Sequence, residues 1–307
     1  MDALDRLILN ELSYQCRISF SKLAEKFDVS LTTIKNRIET LVEEGVIVNF
    51  VVQLPLDILH ANFAIITLDI EMDTKSDDLK ALGIHPFIMA LGVGYELQGF
   101  AIAVYRTNDE LSQALSHLQS SILVRSAQAY PVVAPPSPID RSLSKGIEDL
   151  KKIDWRILKS LQWDGRKSLG DIASDIGSSV PTVRKRLVFM RKHNLIEETI
   201  QINPAATSRR FVVMLMMRTP LIVQMEHFEL EQTIREKFGE TYWISFRMAS
   251  QPELMLAFVV DSVNQVAPIR SELVSLLEDT EVTHQMIVPE WIYFPDFRDE
   301  LIDEHQS

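Results

Sequence analysis

The sequence predicts an α+β fold assembled twice from one plan: three short helices with a trailing strand, then a βαββαβ unit. Two observations predict it. Helical apolar spacing gives way to β-branched, strand-like runs in the same order in each half. A shift of 149 residues also superposes the two openings, aligning Asp5 with Asp154, Ile8 with Ile157, Leu9 with Leu158, Leu12 with Leu161 and Arg17 with Arg166. In the same frame Ser19 meets Ser168, Ala24 meets Ala173, Ser30 meets Ser179, Thr33 meets Thr182, Arg37 meets Arg186 and Ile47 meets Ile196. Identities this dense mark an internal duplication, which takes precedence in reading a fold.

In the first copy, Leu4, Ile8, Leu9 and Leu12 share one face of a helix. Ser19 caps a second helix that turns Leu23, Ala24 and Phe27 inward. Ser30 caps a third, with Leu31, Ile34, Ile38 and Leu41 inward and Gly45 at its stop. Residues 46–54 are rich in β-branched side chains and predict a strand. Together they predict a winged helix-turn-helix over residues 1–54, and the repeat predicts another over 151–203. The second copy's third helix opens at Ser179, and Val183, Leu187 and Met190 form its apolar stripe. Its other face carries Thr182, Arg184, Lys185 and Arg186, the side-chain types that reach phosphates and base edges. Asn194 stands where Gly45 stood, and Asn is the usual alternative at a left-handed helix end.

Between the copies, strands over 61–72, 87–93, 97–106 and 122–133 and helices over 76–82 and 108–120 predict a ferredoxin-like domain spanning 55–138. Pro131, Pro135, Pro136 and Pro138 predict a stiff link reaching to about residue 150. The second such domain, 204–295, has strands predicted at 211–218, 242–248, 253–260 and 282–293, with helices at 225–238 and 266–277. A sheet with helices on one side leaves its other face bare, so the two domains are expected to pair with each other or with those of another chain. Met214, Met216 and Met217 read as strand core, the run from Glu290 to Phe294 as either core or an oligomer contact, with the contact preferred, and residues 296–307 as a solvated acidic tail.

Composition excludes several classes. With 46% hydrophobic and 24% charged residues the chain is neither disordered nor fibrous. Its longest apolar runs are too short to span a bilayer, and the opening residues carry no basic leader. The single Cys16 rules out an intrachain disulfide framework and fits a reducing cytoplasm. The seven histidines lack metal-ligand spacing, and no Ser-His-Asp set or phosphate-cradling glycine loop is present. Neither a cofactor, a metal nor an enzymatic activity is expected. The net charge of −12 is unevenly spread. Residues 1–54 hold six basic and eight acidic side chains, whereas residues 151–203 hold eleven and six. Phosphate binding is driven by counterion release and needs local positive charge, so the second copy is the stronger candidate for DNA contact.

Four motifs give the order above a family likeness. Leu4-Asp5-x-x-Ile8-Leu9, Ser19-x-x-x-Leu23-Ala24, Ser30-x-x-Thr33-Ile34-x-x-Arg37-Ile38 and Leu41-x-x-x-Gly45-Val46-Ile47 resemble the Lrp/AsnC (leucine-responsive, feast/famine) transcription regulators. The likeness covers nearly the whole chain, twice over. Ordinary members hold one copy and pair through their βαββαβ (RAM-type) domains, so this chain looks like a covalently fused pair. The resemblance implies a sequence-specific regulator binding double-stranded DNA, homo-oligomers such as a dimer of fused pairs, and a small-molecule effector such as an amino acid. By position, it places Thr32, Thr33, Lys35, Asn36 and Arg37 in a DNA groove in the first copy, and Pro181, Thr182, Arg184, Lys185 and Arg186 in the second. Gly92, Gly94, Tyr95 and Glu96 match the family's effector loop; Ala249 to Glu253 lack its glycines. Siroheme decarboxylases also resemble paired Lrp/AsnC units, but their Arg- and His-rich run before an Asn-x-Met strand is missing around residues 207–217. A metabolite sensor with vestigial helix-turn-helices is opposed by the Arg184-Lys185-Arg186 cluster.

Overall fold

The computed structural model describes residues 2–71, 76–94, 98–133, 145–203, 206, 210–220, 227–249, 252–277, 279–288 and 290–306. The first copy runs through α1 (Ala3–Tyr14), α2 (Phe20–Phe27), α3 (Leu31–Glu43), β1 (Ile47–Gln53), β2 (Asn62–Ile70), α4 (Ser76–Leu82), β3 (Ile88–Val93), β4 (Gln98–Tyr105), α5 (Asn108–Ser120) and β5 (Val124–Val133). The second runs through α6 (Lys152–Leu161), α7 (Leu169–Asp175), α8 (Val180–Lys192), β6 (Glu197–Ile202), β7 (Phe211–Arg218), α9 (His227–Phe238), β8 (Tyr242–Met248), β9 (Glu253–Val260), α10 (Val266–Leu276) and β10 (Glu281–Val288). A short strand β11 (Glu290–Tyr293) and a helix α11 (Phe297–His305) follow. These elements gather into two compact units, one of residues 1–61, 138–203 and 297–307, the other of 62–137 and 204–296. The duplication is thus sorted by kind: each unit holds the like halves of both copies. Of the prolines read as a stiff link, Pro131 belongs to β5, and Pro135, Pro136 and Pro138 lie outside the described residues.

In the first unit, serine hydroxyls cap the helices as their spacing predicts. Ser30 Oγ accepts from the Thr33 N–H at 3.0 Å, and Ser179 Oγ from the Thr182 N–H at 3.3 Å. Gly45 and Asn194 both sit at positive φ, 74° and 52°, so the two third helices end the same way. Ile8, Leu12, Leu23, Ile34, Ile38 and Leu41 are buried in one copy, and Ile157, Leu161, Ile172, Val183, Leu187 and Met190 in the other. Leu31 departs from expectation and is exposed, because as the first helical residue it overhangs the core instead of facing it. The wings β1 and β6 pair antiparallel with each other, Phe50 opposite Ile200 and Val52 opposite Glu198.

The second unit is one nine-stranded sheet in the order β10-β7-β9-β8-β5-β2-β4-β3-β11. Each copy contributes four strands in the ferredoxin-like order, fourth-first-third-second. They meet where Val132 and Val133 of β5 pair with Met248 and Arg247 of β8. The expected pairing of the two domains is therefore made within the chain. Side chains alternate across a strand. On β7 this sends Met214 and Met216 into a core shared with Ile65, Phe100, Tyr130 and Met286, and Leu215 and Met217 under α9 and α10.

Two expectations are corrected here. The strand predicted over 282–293 is two strands with different partners, β10 on β7 and β11 on β3. Its aromatics are packed within the chain: Trp291 lies 4.7 Å from the Phe100 ring and 5.7 Å from Trp243, so the run is not a free oligomer contact. The acidic tail is a helix seated on α6, not a solvated end. Phe297 and Ile302 are buried, Trp155 stacks on His305 at 4.5 Å, and Gln162 Nε2 donates to Asp299 at 2.6 Å. Apolar residues five apart on a charged segment leave a weak periodic signal, so sequence reasoning saw only the charge.

Candidate nucleic-acid interface

The third helices α3 and α8 are positioned from two directions. From behind, each is held by a carboxylate on the first helix of its own copy. Asp154 is fully buried and receives both Nε and Nη2 of Arg186, the former at 2.6 Å. This bond holds the Arg186 guanidinium above its usual basicity. In the other copy Arg37 Nη1 lies 2.8 Å from Asp2 and 3.3 Å from Asp5. Asp5 and Asp154 also cap their helices by accepting the backbone N–H of Asp2 and Lys151. Arg37 and Arg186, which the resemblance places in a groove, are thus turned back onto the protein. Their alignment with Asp5 and Asp154 across the repeat is the signal that could have revealed the pairs.

From the side, the copies clasp each other with aligned arginines. Arg17 donates to the carbonyls of Gly165 (2.5 Å) and Lys167 (2.8 Å), and Arg166 donates to those of Cys16 (2.5 Å) and Ile18 (3.1 Å). Burial lowers the pKa of both, but a guanidinium stays charged far above neutral pH. Arg166 also lies over the Phe20 ring at 4.3 Å. Glu198, buried beneath the clasp, meets Arg17 at 3.7 Å and pairs bidentately with Arg191 at 2.7 and 2.9 Å. Cys16 sits in this seam with its Sγ toward the Val51 carbonyl, and burial pushes the thiol up to about 12. A thiol held protonated is unreactive.

What remains outward differs between the helices. Pro181, Thr182, Arg184 and Lys185 of α8 are exposed, and among the described residues neither Arg184 nor Lys185 has an ion-pair partner. Pro181 in the first turn gives up an N–H that would lack a helical partner anyway. On α3, Thr32, Lys35 and Asn36 are exposed and Thr33 is half-buried, but Lys35 lies 3.7 Å from Glu39. The hydroxyls of Thr33 and Thr182 each lie 2.8 Å from their capping serine.

Residues 1–48 match the winged helix-turn-helix DNA-binding family, and residues 150–191 match the AsnC-type helix-turn-helix domain. Both copies thus carry a helix-turn-helix of DNA-binding type, the second matching the AsnC type. An uncharacterised HTH-type transcriptional regulator of Pyrococcus furiosus is 29% identical over 139 residues, 43% of this chain and 88% of the relative. The crystal structure of the siroheme decarboxylase NirDL matches over 98% of both chains at a TM-score of 0.58 and 12% identity. The same enzyme in complex with an iron-uroporphyrin III analogue matches at 0.57 and 11%, over 98% of this chain and 97% of that one. At such identity the likeness is one of fold, and it extends along the whole length of this chain.

Of the effector loop, Tyr95 and Glu96 lie outside the described residues. Gly92 and Gly94 have a packing reason for being glycine. A Cβ on Gly92 would stand 2.0 Å from the Phe100 ring, and one on Gly94 would stand 2.8 Å from the Gln98 carbonyl oxygen.

Proposed function

We propose that this chain is a DNA-binding transcriptional regulator whose α8 is the principal reading helix, with α3 as a weaker second reader. The observation that carries the reading is the pair Arg184 and Lys185, exposed on an AsnC-type recognition helix. An outward guanidinium can bind guanine in bidentate fashion, and Asn36 of α3 can do the same with adenine. Pro181 and Thr182 in one copy, and Thr32, Thr33 and Lys35 in the other, complete the DNA-facing set. The reciprocal arginine clasp and the paired wings supply within one chain the two-headed arrangement that ordinary members build from two, so a further chain would add through other surfaces. Because the heads are unlike, the bound site should be an imperfect palindrome or two unlike half-sites. Selection of bound duplexes from a random pool tests this: a strictly symmetric consensus would contradict it.

A second reading rests on the whole-length fold likeness to NirDL, which is a siroheme decarboxylase. Under it the purified chain would take up an iron tetrapyrrole with a shifted Soret band. A titration with no spectral change removes that reading.

A further inference from the structure

A cleft of about 510 Å³ opens on the second helix-turn-helix, between α6, α7 and Gln306. It lies wholly in the first compact unit, and none of its lining residues belongs to α8. Small-ligand sites occupy this range of volumes. One wall is a single face of α6. Arg156, Lys159 and Ser160, with Trp163 just past the helix end, follow at i, i+3, i+4 and i+7, which stacks them along one side. Ile157, Leu158 and Leu161 point the other way and are buried. Ile176, also buried, lines the cleft from the end of α7.

Which polar groups are already engaged decides what the cleft can hold. Lys167 Nζ lies 2.5 Å from Asp175 Oδ2, and Ser160 Oγ donates to the same oxygen at 2.6 Å. These bonds hold the Asp175 carboxyl below the usual carboxylate range. Lys159 is ion-paired with Asp303. Arg156 is exposed and, among the described residues, has no ion pair. Trp163 is 51% exposed. The cleft therefore offers one guanidinium for an oxyanion and, two helical turns or about 10 Å along, one indole face for a ring. Asp164 and Asp175 in the same lining disfavour multiply charged anions such as nucleotides.

The 149-residue frame sets this lining against that of the first copy. Arg156, Lys159 and Lys167 stand where the first copy has Leu7, Asn10 and Ile18, and Trp163 stands where it has Tyr14. Glu11 and Lys26, the counterparts of Ser160 and Asp175, pair with each other. The helices themselves repeat, so the scaffold alone does not call for a guanidinium at position 156.

We propose that this cleft binds a small aromatic monoanion, its carboxylate on Arg156 and its ring on Trp163. An Arg–carboxylate pair can be bidentate, which fixes the ligand's orientation as well as its charge. Contact with both α6 and the end of α7 would stabilise the second helix-turn-helix by mass action. The site stands whether or not α8 reads DNA.

Isothermal titration of the full chain with benzoate, indole-3-carboxylate and quinoline-2-carboxylate, without DNA, tests the proposal. At least one should bind saturably, one molecule per chain. Arg156→Gln and Trp163→Ala alter exposed side chains, so both should unfold at the wild-type midpoint, and each should weaken binding on the order of tenfold. The deciding comparison is the neutral carboxamide of the acid that binds best. It should bind the wild-type chain and Arg156→Gln alike, because no carboxylate remains for the guanidinium to meet. A carboxamide weakened by Arg156→Gln as strongly as the acid would show that the substitution acts through the fold, and would overturn the proposal. So would the absence of saturable binding by all three acids, or unchanged affinity in either variant.

Discussion

Helices α3 and α8 align across the internal repeat and present different chemistry on the same scaffold. Both are capped by serine, both end in a left-handed residue, and both are held from behind by a carboxylate-bound arginine. They differ in what faces out. On α3 the exposed Lys35 is partnered by Glu39, and Glu43 and Glu44 follow. On α8 Arg184 and Lys185 have no carboxylate partner among the described residues, and the exposed Lys192 stands in the last turn. The difference teaches that two repeats in one chain can keep their supporting residues fixed and vary their outward residues independently, which a homodimer of identical chains cannot do.

The supporting pairs should give the largest effect and an unequal one. Asp154→Ala strips a fully buried partner from Arg186 and should cost about 3–5 kcal/mol, read from the shift in urea midpoint of the helix-turn-helix transition. Asp5→Ala should cost about 1 kcal/mol, because Arg37 is 40% exposed and keeps Asp2. Equal losses would mean that the pairs carry equal weight despite their different burial.

The reading faces come next. Arg184→Ala with Lys185→Ala should leave folding intact and lower the log–log salt slope by about 1 for each phosphate no longer bound, or cost about 1–3 kcal/mol where a base is no longer read. Lys35→Ala with Asn36→Ala should do less. Fluorescence anisotropy of a labelled duplex across salt concentrations measures both, and equal damage would erase the proposed hierarchy.

The clasp should behave symmetrically where the reading faces do not. Arg17→Ala and Arg166→Ala each leave two backbone carbonyls short of a donor and should each cost about 1–3 kcal/mol, seen as matched shifts in unfolding midpoint. A large inequality would show that one arginine alone holds the seam. The smallest effect belongs to the helix stops. Gly45→Asn should destabilise by a few tenths to about 1 kcal/mol, read as a lowered unfolding midpoint, since it places a side chain at positive φ.

Much of this protein could be read from local pattern. The serine caps, the Gly45 and Asn194 stops, the apolar stripes and the βαββαβ order all follow from spacing between near neighbours, and the 149-residue frame announced the duplication. The exposed face of α8 was legible for the same reason. What local pattern could not supply was partner choice. Arg37 and Arg186 look like groove residues until the fold brings Asp5 and Asp154 behind them, thirty-two residues away in each copy. The aromatic run at 290–294 has the same alternation whether it meets another chain or β3, and the acidic tail is the same charged segment whether solvated or laid on Trp155. Strand and helix formation are set by neighbours a few residues apart, whereas pairing and docking depend on surfaces that exist only after the chain has folded back on itself.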